Sequence, residues 1–140
     1  MAVNSTMQMR STLVNQVQGL LPSVGLVDDD FQKPNSPFTI PKGKTWLRLA
    51  TNDTDTENQE ATGAIRTVTG ILTIDIFSPL NKGDAVAQTA AEVIRAGLSN
   101  KYYSDTLRVR QGFISDTTES DWYKVQIQFT YTYEGLTNGG

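Results

Sequence analysis

The sequence predicts an α+β fold in which two helices pack on one face of a mainly antiparallel or mixed four-stranded sheet. Two segments carry apolar residues at the three-four spacing of a single helical stripe. Two others alternate apolar and polar residues over long runs, as half-buried strands do. The order is helix, strand, strand, helix, strand, strand, and the 140 residues suit a single domain spanning 1–140.

The first helix is expected over Asn4 to Leu21, where Met7, Leu13, Val14, Val17, Leu20 and Leu21 make one stripe. Asn4, Ser5 and Thr6 offer N-caps, and Pro22 stops it. Residues 22–43 hold Pro22, Pro34, Pro37, Pro41, Gly25 and Gly43, too many breakers for regular structure. Phe31 and Phe38 should pin this connector to the core. Lys44 to Thr51 reads as a short strand. Residues 52–64 contain no large apolar side chain and four acids, Asp53, Asp55, Glu57 and Glu60, so an exposed loop is expected there.

From Arg66 to Phe77, Val68, Leu72, Ile74 and Ile76 fall on one face, with Thr67, Thr69, Thr73 and Asp75 on the other. Pro79 and Gly83 end that strand, and Asp84 can cap a second helix from Ala85 to Ala96, closed by Gly97. Its stripe is Val86, Ala90, Val93, Ile94 and Leu98, and its alanines allow close approach to a sheet. A third strand is expected over Thr106 to Ser115, with Leu107, Val109 and Phe113 on one side and Arg108, Arg110 and Ile114 on the other. Asp116 to Asp121 then supply its turn. Tyr123 to Tyr133 alternates most cleanly, Tyr123, Val125, Ile127, Phe129, Tyr131 and Tyr133 against Lys124, Gln126, Gln128, Thr130 and Thr132. Residues 135–140 read as a frayed tail.

Composition argues against an enzyme. There is no His and no Cys, so no Ser-His or Cys-His pair exists, a zinc site lacks its usual ligands, and no disulfide forms. Acid-base work would fall on carboxylates, Lys or Tyr with strongly shifted pKa values. No cofactor or metal is expected. The net charge of -3 argues against wrapping nucleic acid by phosphate neutralisation, although such a surface lets DNA pass without sticking. The first 22 residues are interrupted by polar side chains every few positions, so neither a signal peptide nor a membrane span is expected and the protein should be cytosolic when made.

Apparent motifs dissolve on inspection. Gly43-Lys44-Thr45 resembles the end of a phosphate-binding loop, but Phe38 stands where the earlier glycine belongs. Asp53, Asp55 and Glu57 have the alternation of a calcium loop, yet Asn58 replaces the turn glycine and Ala64 the bidentate glutamate. Two readings stay open for this acidic stretch: a solvated loop, or an arm that docks on a neighbouring ring. Asp28, Asp29 and Asp30 read as a solvated turn. Arg66, Arg108 and Arg110 fit salt bridges to the acidic loop or to a neighbouring subunit better than phosphate binding. The uncharged face of Thr67, Thr69, Thr73, Gln126, Gln128 and Thr130 either meets solvent or lines a channel.

Several phrases together resemble the tail-terminator-like family of long-tailed phages. Leu21-Pro22, the Phe31 to Pro34 spacing and Trp46-Leu47-Arg48 resemble its first half. Gly63, Arg66, Gly70-Ile71-Leu72, Asp75-Ile76-Phe77, Pro79, Gly83 and the alanine helix resemble its middle, and Trp122-Tyr123 with the alternating strand its end. The match runs from about residue 5 to 134; the acidic stretch after the first strand departs from it. The resemblance implies a virion structural protein and not an enzyme. It further implies a homo-oligomeric ring, a hexamer, that binds the last ring of tail-tube protein, receives head-completion or neck proteins on its other surface, and passes DNA through its lumen. Another neck or tube subunit, or a small non-viral binding module, is the competing expectation.

Overall fold

The computed structural model describes residues 5–34, 36–58, 65–80, 85–104, 106–119 and 121–136. Helix α1 spans Thr6–Leu20, and the Ser5 hydroxyl caps it by accepting from the Gln8 amide at 3.2 Å. Met9, Leu13 and Val17, one every four residues, are its buried stripe. Met7, expected in that stripe, is 77% exposed because it lies about 200° around the helix from Met9, on the solvent side. The α-helix ends ahead of Pro22, as expected, and a 3₁₀ turn, Leu21–Val24, follows and ends at Gly25, whose φ of 75° favours glycine.

A second 3₁₀ turn, Asp28–Asp30, leads into β1, Phe31–Gln32. The long strands are β2, Trp46–Asn58, and β3, Ile65–Pro79. Helix α2, Ala85–Leu98, is followed by β4, Lys101–Tyr102, β5, Arg108–Val109, β6, Phe113–Glu119, and β7, Trp122–Leu136. The sheet has seven strands and not four, in the order β1-β2-β3-β7-β5-β4, with β6 also paired to β7. Only β1 and β2 are parallel. Of the three added strands, β1 and β4 have two residues each, too short to show a period in sequence, and the other arises because the expected third strand divides.

Both helices cover one face. Val68, Leu72, Ile74 and Ile76 of β3 and Val125, Ile127, Phe129, Tyr131 and Tyr133 of β7 join Met9, Leu13, Val17, Ala90, Ala91 and Ile94 in one core. Leu47 and Leu49 of β2 and Phe31 of β1 extend it. In α2 the buried residues are Ala87, Ala90, Ala91, Ile94 and Leu98; Val86, expected inside, is 48% exposed. Small Ala87 rather than branched Val86 faces the sheet, which lets the helix sit close.

The expected 52–64 loop is a strand as far as Asn58; 59–64 lie outside the described residues. β2 pairs with β3 through Asn58↔Arg66, with a bulge between Asp53 and Asp55. Lack of apolar residues misled because a border strand needs backbone pairing on only one side and can leave its side chains in water. The expected third strand divides. β5 ends at Val109, Gly112 breaks the run, and β6 resumes with Phe113 73% exposed and Ile114 half-buried, opposite to the expected faces. Residues 116–119, read as a turn, belong to β6, and β7 runs on through residues 135–136 of the expected tail.

Candidate functional site

The face of the sheet opposite the helices is the surface left for function. Cross-strand register assigns it row by row. One row runs Ala50, Thr73, Gln128 and Phe113; another Asn52, Ile71 and Thr130; a third Asp55, Thr69, Thr132 and Arg108. Thr67, Thr69, Thr73, Gln126, Gln128 and Thr130, expected to share one uncharged face, are brought together here. Sequence reasoning missed two apolar members: Ile71, 37% exposed, and Phe113.

One end of this face is closed. Trp46 stacks on its partner Phe77 at 4.2 Å, meets Trp122 edge-on at 5.9 Å, and is covered by Phe38 of the connector at 5.4 Å. Beside the stack, Arg48 donates through Nε and Nη2 to Asp75 Oδ2 at 3.2 and 2.8 Å, and Gln126 Nε2 donates to Oδ1 at 2.9 Å. The Arg48 guanidinium also lies 5.0 Å over the Phe77 ring. Arg48, Asp75 and Gln126 occupy one row, so the buried carboxylate is satisfied from both neighbouring strands. A signal existed in sequence: opposite charges at matching polar positions of two adjacent strands.

The four acids of the 52–64 stretch are not placed alike. Asp53 lies before the bulge, on the helix side, where its carboxylate accepts from Tyr131 at 2.5 Å, Thr6 at 2.8 Å and Tyr133 at 3.3 Å. Nearby Arg10 Nε donates to Thr51 at 2.9 Å, a second tie between α1 and β2. Asp53 thus anchors the start of α1 on the border strand. Burial, followed by the Asp53 carboxylate, pushes the Tyr131 phenol well above its ordinary range; burial likewise raises Tyr133. Asp55 and Glu57 sit in β2 opposite Thr69 and Thr67, and Glu60 lies outside the described residues.

The three arginines do not form one group. Arg66 is half-buried on the helix side near Tyr133, its Nε without a hydrogen-bond partner. Arg108 lies on the other face, 5.6 Å over the exposed Tyr102 ring, and Arg110 is exposed just beyond β5. None of the three makes an ion pair among the described residues. Asp30, read as part of a solvated turn, is buried: it accepts from the Val27 amide at 3.1 Å and pairs with Lys44 at 2.9 Å.

A groove of about 530 Å³ between α1 and Lys33, Pro34 and Ser36 is lined by Thr6, Met7, Arg10 and Val14, with no carboxylate among its lining residues, and a neighbouring one of about 410 Å³ holds Asp28 and Asp29 beside Lys33. Among the described residues no three acids converge as a metal site requires, and no helix is long and apolar enough to cross a membrane. What the molecule offers is surface and borders.

The model of a family described as phage tail terminator protein matches residues 27–131, well over half of the chain. The chain belongs to that family. The phage tail terminator family is structural and non-enzymatic, and membership makes this chain a structural component of the phage tail or neck, within the virion. That sets aside a binding module unrelated to phages. No curated protein matches the chain in sequence. Among solved structures, a protein without a functional name superposes with a TM-score of 0.69 at 19% identity, over 92% of this chain and 95% of that one. A chain of the virion of a native gene transfer agent particle superposes with a TM-score of 0.65 at 14% identity, over 90% and 94%. Both likenesses concern the fold, and this terminator-family chain shares it along nearly its whole length.

Proposed function

We propose that this chain acts as a tail terminator: copies close into a ring, a hexamer, that caps the head-proximal end of the tail tube and stops its growth. The ring assembles in the host cytoplasm. One surface binds the last ring of tail-tube protein, and the other receives a head-completion or neck protein. Termination requires these two surfaces to differ, because a self-complementary pair would let stacking continue.

The observation that carries this reading is the uncovered face of the sheet, whose middle presents Thr69, Thr73, Gln128 and Thr130, with Thr67 toward one end and Gln126 at the closed end. Turned toward the axis of a ring, hydroxyls and amides would line a channel that offers passing DNA no row of cations to stop on. Asp75 and Arg48 neutralise one another within that face. In this arrangement Asp55, Glu57 and Glu60, with Arg108, Arg110 and Arg66, supply contacts to neighbouring subunits or rings.

Negative-stain electron microscopy and native mass of the purified chain test the proposal. Discrete annuli that block elongation of purified tube protein are expected. Long tubes formed by this chain alone would instead make it a tube subunit, and a monomer that leaves elongation untouched would refute the capping role.

A further inference from the structure

The groove of about 530 Å³ beside α1 falls within the size of ligand clefts, roughly 300–1,000 Å³. Its helical wall is Thr6, Arg10 and Val14 in one row and Met7, Ser11 and Asn15 in the next. Successive members are four residues apart, so one flank of α1 follows the groove for about 12 Å. That flank lies outside the buried stripe of Met9, Leu13 and Val17. Its apolar surface is Met7, 77% exposed, and half-buried Val14, with Pro34 on the facing wall. Methionine is suited to such a surface because its flexible thioether adapts to what it meets.

Charge in the groove has one sign. Arg10 and Lys33 line it, and no carboxylate does. Lys33 is engaged by Asp28 at 3.1 Å. Arg10 is held differently: its Nε donates to Thr51 at 2.9 Å, while among the described residues its two Nη atoms make no hydrogen bond and it forms no ion pair. Asp53, which touches Thr6 at one end of the groove, already accepts from the hydroxyls of Thr6, Tyr131 and Tyr133. A guanidinium fixed through Nε and open at both Nη atoms presents the fork that a carboxylate accepts.

We infer that this groove binds an extended, acid-bearing peptide segment of another virion protein, with Arg10 forking its carboxylate and Met7 and Val14 seating apolar side chains on either side. The spacing selects the ligand. Met7 and Val14 each lie one helical turn from Arg10, about 5.4 Å along the axis. An extended peptide brings every second side chain to the same side, about 6.6 Å apart. The fitting segment therefore has an acidic residue with an apolar one two positions before it and another two positions after. Ser11, Asn15 and Ser36 offer hydroxyls and an amide to its backbone. A nucleic-acid phosphate fits less well, since it leaves Met7, Val14 and Pro34 unused and finds one open guanidinium where backbone tracking needs several cations. The inference goes beyond the ring reading and takes from the family only that the partner belongs to the virion.

An array of serine-spaced heptapeptides tests it, with glutamate or glutamine at the centre and leucine or serine two positions to each side, probed with the full-length chain. The peptide with central glutamate and flanking leucines should be retained about tenfold better than its glutamine or serine counterparts, the ratio one charge-assisted hydrogen bond supplies. Arg10→Gln should erase the preference for glutamate over glutamine. Because that variant also loses the Thr51 bond, Met7→Asp is the second handle: at an exposed position it should keep the parent's unfolding midpoint and lose retention. Equal retention of the glutamate and glutamine peptides by the parent, or parent-like retention by Met7→Asp, overturns the inference. So does displacement of the peptide by a single-stranded DNA oligonucleotide at equal concentration, which would make the groove a phosphate site. Annuli that show no peptide preference would remove the groove and leave the ring standing, whereas a monomer that shows the preference would do the reverse.

Discussion

The Tyr131 phenol lies directly across Gly70 on the neighbouring strand and ends on the Asp53 carboxylate beyond it. A Cβ on Gly70 would overlap both the Tyr131 hydroxyl and the Asn52 carbonyl oxygen. The glycine is therefore there for space, its φ being unexceptional. One absent methyl group lets β2, β3 and β7 come together around a polar contact at the border of the core.

Gly70→Ala should destabilise the protein by about 1–3 kcal/mol, since neither the backbone carbonyl nor the tethered ring can yield freely. Gly19→Ala is the control: it sits in α1 with nothing within 4 Å of the added carbon, and helix propensity should stabilise by about 0.5–1 kcal/mol. Urea denaturation midpoints report both, and equal shifts in the same direction would contradict this account.

Reversing charge along the acidic stretch should separate two roles. Asp53→Lys strands the Tyr131 hydroxyl and releases Thr6, at a cost of about 1–3 kcal/mol, the range for leaving a buried polar group without its partner. Asp55→Lys with Glu57→Lys should leave the unfolding midpoint within about 0.5 kcal/mol of the parent and act only on assembly. Thermal unfolding and native mass, read side by side, check this.

Alkaline pH should weaken the fold through its tyrosines. Burial pushes Tyr103 up to about 12 from 10.0, and Tyr131 and Tyr133 are raised as well. Between the unfolded value and the raised folded one the native state holds protons that the unfolded chain has released, so stability falls with rising pH. Below the ordinary tyrosine value of 10.0 the contribution is complete; above it, loss begins and continues through the folded values. Denaturation midpoints measured from about pH 8 to 11 should be flat at first and then decline, with Tyr131→Phe showing a shallower decline. A profile unchanged by Tyr131→Phe would show that this phenol is not one of the titrating groups.

Removing one partner of the Arg48–Asp75 pair should hurt more than removing both. Asp75 is 4% exposed, and Arg48→Ala leaves it with Gln126 alone. Because the Arg48 side chain is 38% exposed, the cost is discounted to about 1–3 kcal/mol. Arg48→Met with Asp75→Leu should recover part of that loss, and a double-mutant cycle on unfolding free energies would reveal the coupling.

Much of the architecture was legible because burial imposes a period. Val125, Ile127, Phe129, Tyr131 and Tyr133 are all buried, as their alternation required, and the two helices lie where their stripes put them to within a turn. Phe31 and Phe38 do pin the connector, one in the core and one on Trp46. The family resemblance, carried by turn and core residues, agrees with the match over residues 27–131.

The sequence by itself determined most of the core, that two helices cover one face of a sheet, and the absence of imidazole and thiol chemistry. Those properties are local or compositional, and a period of two or of three to four records them directly. Tertiary structure alone decided that the acidic stretch continues a strand, that Asp53 reaches the Tyr131 and Thr6 hydroxyls while Asp55 lies past the bulge, and that Phe113 is exposed. These depend on which strand lies alongside and in what register, and a single inserted residue exchanges the faces of everything after it. Pairing between positions as far apart as Asp53 and Tyr131 leaves no mark within either segment, so only the folded chain reveals its borders.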